Sequence, residues 1–216
     1  MATLTNSSSK LGLSGIQENI NNVFFLKNNS IYARKQGDFV SDYKNNHNTV
    51  FGVDASDFKG LSSDKNTAFG YKTGYNEDRG NIRNVFVGYQ AGKNNTSTES
   101  IFIGANTKEK ANIFYNEQTI QIGNNIETKS IKNSVLIGSK IKNQPDNNAP
   151  LRDVTIIGSE NDNTKNNTII FGYKNTNKGV NSTIIGNNII NTGSNVLLIN
   201  PKDSQGNNIT TNITKN

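Results

Sequence analysis

Few side chains in this sequence could perform chemistry. His47 is the single histidine and there is no cysteine, which excludes thiolate sites, disulfides and any metal site built from several imidazoles. Asp54 with Asp57, and Glu77 with Asp78, could hold a hard cation. Solvated loop carboxylates are the more common outcome for such pairs, and a lone histidine is more often a loop residue than a base. We therefore predict no catalytic residue, no metal site and no cofactor.

Motifs for phosphate binding, calcium binding and acyl transfer are missing or broken. The chain has no G-x-x-x-x-G-K-[ST] loop and no G-G-x-G-x-D repeat. The hexapeptide repeat of trimeric acyltransferases needs an apolar residue at every sixth position, but counting from Phe51 gives Asp57 and Ser63 before Phe69. A trimeric β-helix transferase is thus a minor alternative, and we predict that the chain is not an enzyme.

The basic charge of the chain is dispersed. Lys and Arg number 23 against 17 Asp and Glu, which gives a net charge of +6 and a pI near 9.4. These residues stand singly or in close pairs such as Lys140 and Lys142 within Asn-rich segments. We interpret them as solvated loop charge rather than as an anion-binding surface, so nucleic acid is an unlikely partner. No apolar run approaches the length of a membrane-spanning helix, and the first residues lack the apolar segment of a secretory signal.

The elements that position these side chains are set by an internal repeat, in which two or three apolar residues precede a glycine. Successive closing positions are 18, 18, 16, 19, 15, 20, 14, 14 and 14 residues apart, so the unit has 14 residues and the first six intervals carry insertions. Loops tolerate such insertions, whereas a helical repeat would lose its phase. The closing positions are Gly52, Gly70, Gly88, Gly104, Gly123, Gly138, Gly158, Gly172, Gly186 and, with Asn in place of Gly, Asn200.

Each repeated phrase is typical of a short β-strand, because it is rich in Ile, Val, Phe and Thr and is bounded by Asn, Ser and Gly. The residues immediately before the closing position form what we call the Phe51 column: Phe51, Phe69, Val87, Ile103, Ile122, Ile137, Ile157, Phe171, Ile185 and Ile199. The residues two before it form the Val50 column: Val50, Ala68, Phe86, Phe102, Gln121, Leu136, Ile156, Ile170, Ile184 and Leu198. Adjacent strand residues point to opposite faces, so both faces are apolar, as in buried parallel sheets.

This pattern predicts a β-solenoid that associates with copies of itself. A 14-residue turn can enclose only a thin core, which one apolar face fills, and the other face would be a long exposed stripe unless it is covered. Identical chains arranged about an axis parallel to the solenoid would cover it. The closing glycine fits a positive φ or a close backbone approach, and the 40 Asn residues suit amide ladders between turns.

The alternation of side chains along a strand does not tell which of the two columns faces the axis. The role of Gln121 depends on which one does. Gln121 is the polar member of the Val50 column. If that column is axial, copies of Gln121 meet there as a polar ring. If it faces the interior of the roll, Gln121 must find a backbone partner.

The units SVLIGSK, NVFVGYQAG, NTAFGYKTG and STIIGNNIINTG resemble the head repeat of YadA-type trimeric autotransporter adhesins, which also occurs in fibres of phages and other viruses. The match covers about residues 48–200, and Gly179 and Gly193 stand at the place of that repeat's second glycine. The resemblance implies an all-β fold, a left-handed parallel β-roll of about ten 14-residue-type turns, packed as a homotrimer.

The resemblance implies a non-enzymatic structural or adhesive protein. The membrane-anchoring barrel and signal of the bacterial adhesins are not found in the sequence, which favours the viral users of the repeat: a fibre, spike or decoration at the virion surface that mediates attachment. A fragment of a bacterial adhesin head at the cell surface is the alternative. Expected partners are the chain itself, other virion proteins and a host glycan or protein.

Three segments are predicted. Residues 1–47 form an arm with a short helix at 15–22, and serve either as a cap over the first turn or as the segment that docks on a particle. Residues 48–200 form the roll, and residues 201–216 form a polar tail that begins with the strand-breaking Pro201.

The insertions between turns are the candidate recognition surface, because loops on a rigid scaffold commonly carry binding groups. They fall within 53–66, 71–84, 105–118 and 139–153. The alternative is that these loops only pad the surface or touch neighbouring proteins. Aromatic and basic anchors in them are Phe58, Lys59, Tyr71, Tyr75, Arg79, Lys108 and Tyr115.

Overall fold

The structure is a computed structural model of the 216-residue chain. It describes residues 22–27, 30–35, 48–52, 55, 64–74, 82–93, 96–109, 116–146, 149–199 and 211–214. For 22–27, 30–35, 108–109 and 211–214 it describes the course of the backbone alone. The predicted helix at 15–22 lies outside these residues, apart from Asn22, which begins a strand. Within the described residues the fold is all-β, with no helix.

The ten repeated phrases are ten parallel strands of one sheet. Each pairs with the next, and the closing glycines from Gly88 to Gly186 lie opposite one another in register. The β-solenoid predicted from the repeat is confirmed. The strands are β3 (Thr49–Phe51), β4 (Thr67–Phe69), β5 (Val85–Tyr89), β7 (Ile101–Ala105), β9 (Asn116–Asn124), β11 (Ile131–Ser139), β14 (Val154–Ser159), β16 (Thr168–Tyr173), β18 (Ser182–Asn187) and β20 (Val196–Ile199).

A second, narrower parallel sheet forms the opposite side of the roll. Its strands are two residues long and follow the closing glycine by four and five positions. They are β8 (Lys108–Glu109), β10 (Glu127–Thr128), β12 (Lys142–Asn143), β15 (Asp162–Asn163), β17 (Thr176–Asn177) and β19 (Ile190–Asn191). Two further short strands, β6 (Ser97–Thr98) and β13 (Leu151–Arg152), join the first sheet beside β9 and β11.

Antiparallel strands flank the stack at both ends. β1 (Asn22–Lys27) and β2 (Ser30–Lys35) form a hairpin, and β2 pairs in parallel with β3. At the other end β21 (Thr211–Thr214) pairs antiparallel with β20. Residues 22–35, assigned from the sequence to the N-terminal arm, thus extend the sheet by two strands.

Two left-handed corners turn the chain in each repeat from the one that closes at Gly70 to the one that closes at Gly186, and the first of the two recurs at Asn195. They lie five residues before and two residues after the closing glycine, seven residues apart, and have φ between 49° and 59°. The residues there are polar and unbranched at Cβ, and Asn is frequent among them, as this conformation requires. The corners are Lys65, Arg83, Glu99, Gln118, Asn133, Asp153, Asn167, Asn181 and Asn195 on one edge, and Lys72, Gln90, Asn106, Asn125, Lys140, Glu160, Lys174 and Asn188 on the other.

The Val50 column faces the interior of the roll. From Val50 to Ile184 its members are 0% exposed, and Leu198 is 2% exposed. The second half of each turn adds buried residues three positions after the closing glycine, among them Ala91, Ile126 and Ile141. The core therefore lies between the two sheets.

The axial ring suggested for Gln121 is wrong, because the side chain is enclosed within a single chain. The alternative, an interior position, is correct, but its partner is a side chain rather than the backbone: Gln121 Nε2 donates to Thr128 Oγ1 at 3.3 Å. Gln121 Oε1 has no donor among the described residues. The exposed face is therefore formed by the Phe51 column.

Candidate functional site: the exposed apolar face

The outward face of the large sheet is apolar along the whole stack. Ile157 is 38% exposed and Ile185 is 42% exposed, whereas Ile156 and Ile184, which directly precede them, are 0% exposed. Successive residues of a strand point to opposite faces of the sheet, so each of these pairs places one isoleucine in the interior and the other on the outward face. The exposed large side chains of the Phe51 column are Phe69, Ile103, Ile122, Ile157, Phe171, Ile185 and Ile199. We call this surface the outer apolar face.

Aromatic side chains stack on one another at the N-terminal end of this face. The Phe51 and Phe69 rings lie 4.9 Å apart with 8° between their planes, and the Tyr71 and Tyr89 rings lie 5.5 Å apart with 19° between theirs. Lys72 Nζ sits 5.2 Å from the centroid of the Tyr71 ring. In-register parallel turns bring equivalent residues together, so rings in one column must stack.

The outward face of the narrow sheet has a different chemistry. In successive turns the register of this sheet aligns Glu127, Lys142, Asp162 and Thr176, so charges of opposite sign alternate from Glu127 to Asp162. The next position is Ile190, which is 74% exposed. The roll therefore presents one apolar and one largely polar sheet face, and only the first is a continuous apolar stripe.

Cross-turn ion pairs line the polar edges. Arg83 Nη2 lies 2.6 Å from Glu99 Oε1, and Gln118 Nε2 donates to Glu99 Oε2 at 3.1 Å. The hydrogen bond from Gln118 has the largest effect on Glu99, followed by the one from Arg83. Both lower the pKa of Glu99 below its usual value. Lys140 Nζ pairs with Glu160 Oε1 at 3.0 Å in the same manner. The pairs are solvent-exposed and add little stability.

Amide ladders run through the interior, as the Asn content predicts. Asn177 Nδ2 donates to Asn163 Oδ1 at 2.8 Å, and Asn191 Nδ2 donates to Asn177 Oδ1 at 2.7 Å. A second ladder joins Asn48 to Asn66 and continues to Asn84. These side-chain bonds satisfy buried amide groups and join each turn to the next.

The candidate recognition residues are placed only in part. Tyr71 stands at the edge of the outer apolar face, 39% exposed. Lys108 begins β8, where the backbone alone is described. Phe58, Lys59, Tyr75, Arg79 and Tyr115 lie outside the described residues, so the recognition surface in the insertions stays a prediction.

The sequence reasoning missed the two corner columns and the layer of polar residues around Gln121. A signal for the corners was present, since the position two after each closing glycine is never β-branched in the described turns. In the described residues no group of three or more His, Cys, Asp or Glu side chains could hold a metal ion. That same part of the chain has no helix with the length and apolar character needed to cross a membrane.

Comparison with known proteins finds no matching protein-family model, no similar curated protein and no similar solved structure. The likeness to the YadA-type head repeat is therefore carried by the residues of the repeat alone.

Proposed function

We propose that this chain is a non-enzymatic structural or adhesive protein that assembles as a homotrimer through its outer apolar face, in a virion or phage fibre, spike or decoration that mediates attachment. The observation that carries the proposal is the outer apolar face itself. The interior of the roll is filled by the Val50 column, so the Phe51 column lies on the outward face of ten successive strands, with seven of its members exposed and the other three half-buried. An apolar stripe of that length marks an interaction surface.

A second copy of the chain fits this face better than an unrelated partner. The stripe has the spacing of the roll over its full length, so only a partner with the same repeat could cover every turn. Three chains about an axis parallel to the roll would do so, with the Phe51 column toward the axis and the narrow polar sheet facing solvent. The left-handed sense of the roll and the number of three follow from the resemblance and belong to this proposal.

The rest of the surface is consistent with a structural rather than a catalytic role. Buried polar side chains such as Asn163 and Asn177 bond one another across turns, and the charged residues pair at exposed edges. A fragment of a bacterial adhesin head, displayed at the cell surface, has the same assembly and is the second candidate. Residues 1–47 would join the roll to the particle in the first case.

Sedimentation velocity of the full chain and of single variants tests the assembly. Ile185→Asp places a charge on the outer apolar face and should dissociate the trimer. Ile190→Asp is the matched control, because Ile190 is exposed on the narrow sheet, and it should leave the trimer intact. A wild-type protein that sediments as a folded monomer at micromolar concentration would refute the proposal.

Location tests the biological part of the proposal. Mass spectrometry of particles purified from infected cells, followed by electron microscopy with a labelled chain, should find the protein at the particle surface. Recovery from a bacterial envelope, with further coiled-coil and barrel sequence after residue 216, would favour the bacterial alternative.

A further inference from the structure

The buried apolar side chains of the described residues form two clusters that do not touch. The N-terminal cluster lies in the turns that close at Gly52 to Gly104 and comprises Val50, Ala55, Ala68, Phe86, Ala91 and Phe102. The C-terminal cluster lies in the turns from Gly123 onward and comprises Ile126, Ile131, Leu136, Ile141, Leu151, Val154, Ile156, Ile170, Ile184, Ile189, Val196 and Leu198.

A polar layer separates the two clusters. In the Val50 column, Gln121 stands in register between Phe102 and Leu136. On the facing side, Thr107 precedes Ile126 at the position three after the closing glycine. The layer consists of side chains that are 0% exposed: Thr107, Asn116, Thr119, Gln121 and Thr128.

Two side-chain hydrogen bonds within this layer are long and one acceptor is unpaired, although Asn116 Oδ1 also accepts from Ile131 N at 3.0 Å. Asn116 Nδ2 and Gln121 Nε2 both donate to Thr128 Oγ1, at 3.4 Å and 3.3 Å. Both distances exceed the usual range of about 2.7–3.2 Å for such bonds. Gln121 Oε1 finds no donor among the described residues, and an unpaired buried acceptor is destabilising.

The described members of the two clusters also differ in side-chain size. Three of the six members of the N-terminal cluster are alanine, and its large side chains are Val50, Phe86 and Phe102. Phe86 fits because Gly74 and Gly92 lie against its ring, where a Cβ at either position would collide with it. All twelve members of the C-terminal cluster are Ile, Leu or Val, so among the described residues the C-terminal turns bury more large apolar side chains per turn.

We propose that the roll is built from two cooperative units that meet at the Gln121 layer, and that the N-terminal unit opens first while the C-terminal unit stays folded. In a solenoid each turn contacts only its neighbours, so a break in the apolar core divides the stack even though the strands of the large sheet stay paired across it. Opening of such units at different free energies is the expected consequence. The layer also coincides with the longest insertion of the N-terminal half, the 19-residue interval from Gly104 to Gly123.

Native-state hydrogen exchange of the full assembled chain, followed by mass spectrometry at increasing denaturant, tests the division. Backbone amides of β4, β5 and β7 should exchange together, at least about tenfold faster than those of β14, β16 and β18, before global unfolding. If amides on both sides of Gln121 exchange in one common step with one free energy, the proposal is wrong.

Gln121→Leu tests the cause of the division. It continues the Val50 column with an apolar side chain between Phe102 and Leu136 and should reduce the difference in exchange between the two units. Gln144→Leu is the matched control. Gln144 lies in the C-terminal part, is half-buried, and its Nε2 also lacks a partner among the described residues. That variant should leave the difference unchanged. An undiminished difference in Gln121→Leu, or an equal reduction in the control, would show that the polar layer does not separate the units.

Discussion

At the scale of single residues, the closing glycines are the most constrained positions in the chain. At Gly138 φ is 141°, and a Cβ atom there would overlap the carbonyl oxygen of Gly158 in the next turn. The same relation joins Gly123 to Gly138. The glycine is thus required both by its own conformation and by the close approach of the next turn.

We predict that Gly138→Ala lowers the free energy of unfolding by about 2 kcal/mol or more, because the added methyl group must displace a backbone carbonyl. Gly193→Ala is the control, since the nearest heavy atom to its Cβ would be Val196 Cγ1 at an ordinary 3.4 Å. Chemical denaturation of both variants measures the effect. Equal losses for Gly138→Ala and Gly193→Ala would contradict the role of close backbone approach.

Asp162 is a residue whose charge opposes folding. Burial raises its pKa, and the nearby carboxylate of Asp146 adds to the rise, while Lys142 and Lys178 oppose it. A group whose folded pKa is raised contributes stability below its unfolded pKa of about 3.9 and loses it as the pH rises through the folded value.

Asp162→Asn should therefore raise the melting temperature at pH 7, with a gain that shrinks toward pH 3, where the wild-type carboxyl is protonated in both states.

Glu99→Gln should instead lower the melting temperature at pH 7, with a loss that shrinks toward pH 3. The pKa of Glu99 is lowered by Gln118 and Arg83, so wild type has the advantage above the unfolded pKa of Glu99 and loses it as the pH falls. Thermal melts between pH 3 and 7 measure both. A pH-independent difference for Asp162→Asn would show that the effect is not electrostatic.

At the scale of elements, the two-residue strands of the narrow sheet depend on side-chain amides. Asn177 links three turns: its Nδ2 donates to Asn163 Oδ1 and its Oδ1 accepts from Asn191 Nδ2. The same Nδ2 also donates to the carbonyl of Gly179 at 2.9 Å. A strand this short makes few backbone bonds, so in the narrow sheet the side-chain ladder adds to the small number of bonds between neighbouring turns.

We predict that Asn177→Ala lowers the free energy of unfolding by about 2–3 kcal/mol, because it leaves buried partners without their bonds. Asn124→Ala is the control, since Asn124 also lies in a strand but its side chain is exposed. It should change stability by less than about 0.5 kcal/mol. Urea titration of both variants checks this, and similar losses would mean that the ladder has no special role.

At the scale of the whole molecule, insertions and regular turns divide the chain. From Gly158 onward the spacing is 14 residues, and every insertion precedes that glycine. In the turns with 14-residue spacing, the left-handed corner residues are Asn167, Asn181 and Asn195. Their side-chain amides are hydrogen-bonded to one another from turn to turn. The prediction that the insertions recognise a partner other than the chain itself therefore concerns the earlier turns.

We predict that trimming the insertions within 53–66, 71–84, 105–118 and 139–153 to the 14-residue spacing leaves a heat-stable assembly that no longer binds its partner. Stability should persist because loop length costs little free energy once turns are in register. Binding to particles or host cells, measured with the trimmed and full chains, gives the result. Normal attachment by the trimmed chain would move recognition to residues 1–47 or to the C-terminal end.

The sequence by itself determined the parallel stack. Ten phrases such as VFVG and VLIG, with closing glycines at one phase, specify strands in register, because a one-residue slip would move every side chain to the opposite face. The frequency of Asn likewise predicted amide ladders. Both features repeat in each turn, so they are visible without knowledge of any contact between turns.

Only the tertiary structure decided which apolar column is interior. Both columns are apolar in sequence apart from Gln121 in the Val50 column, and the alternation of side chains along a strand does not tell which face is interior. The curvature of the chain at the two corners encloses Val50 and leaves Phe69 exposed. The same closure places Gln121 inside the roll beside Thr128. The neighbours of an interior side chain come from the second half of its turn, and that half has no repeated apolar pattern from which they could be predicted.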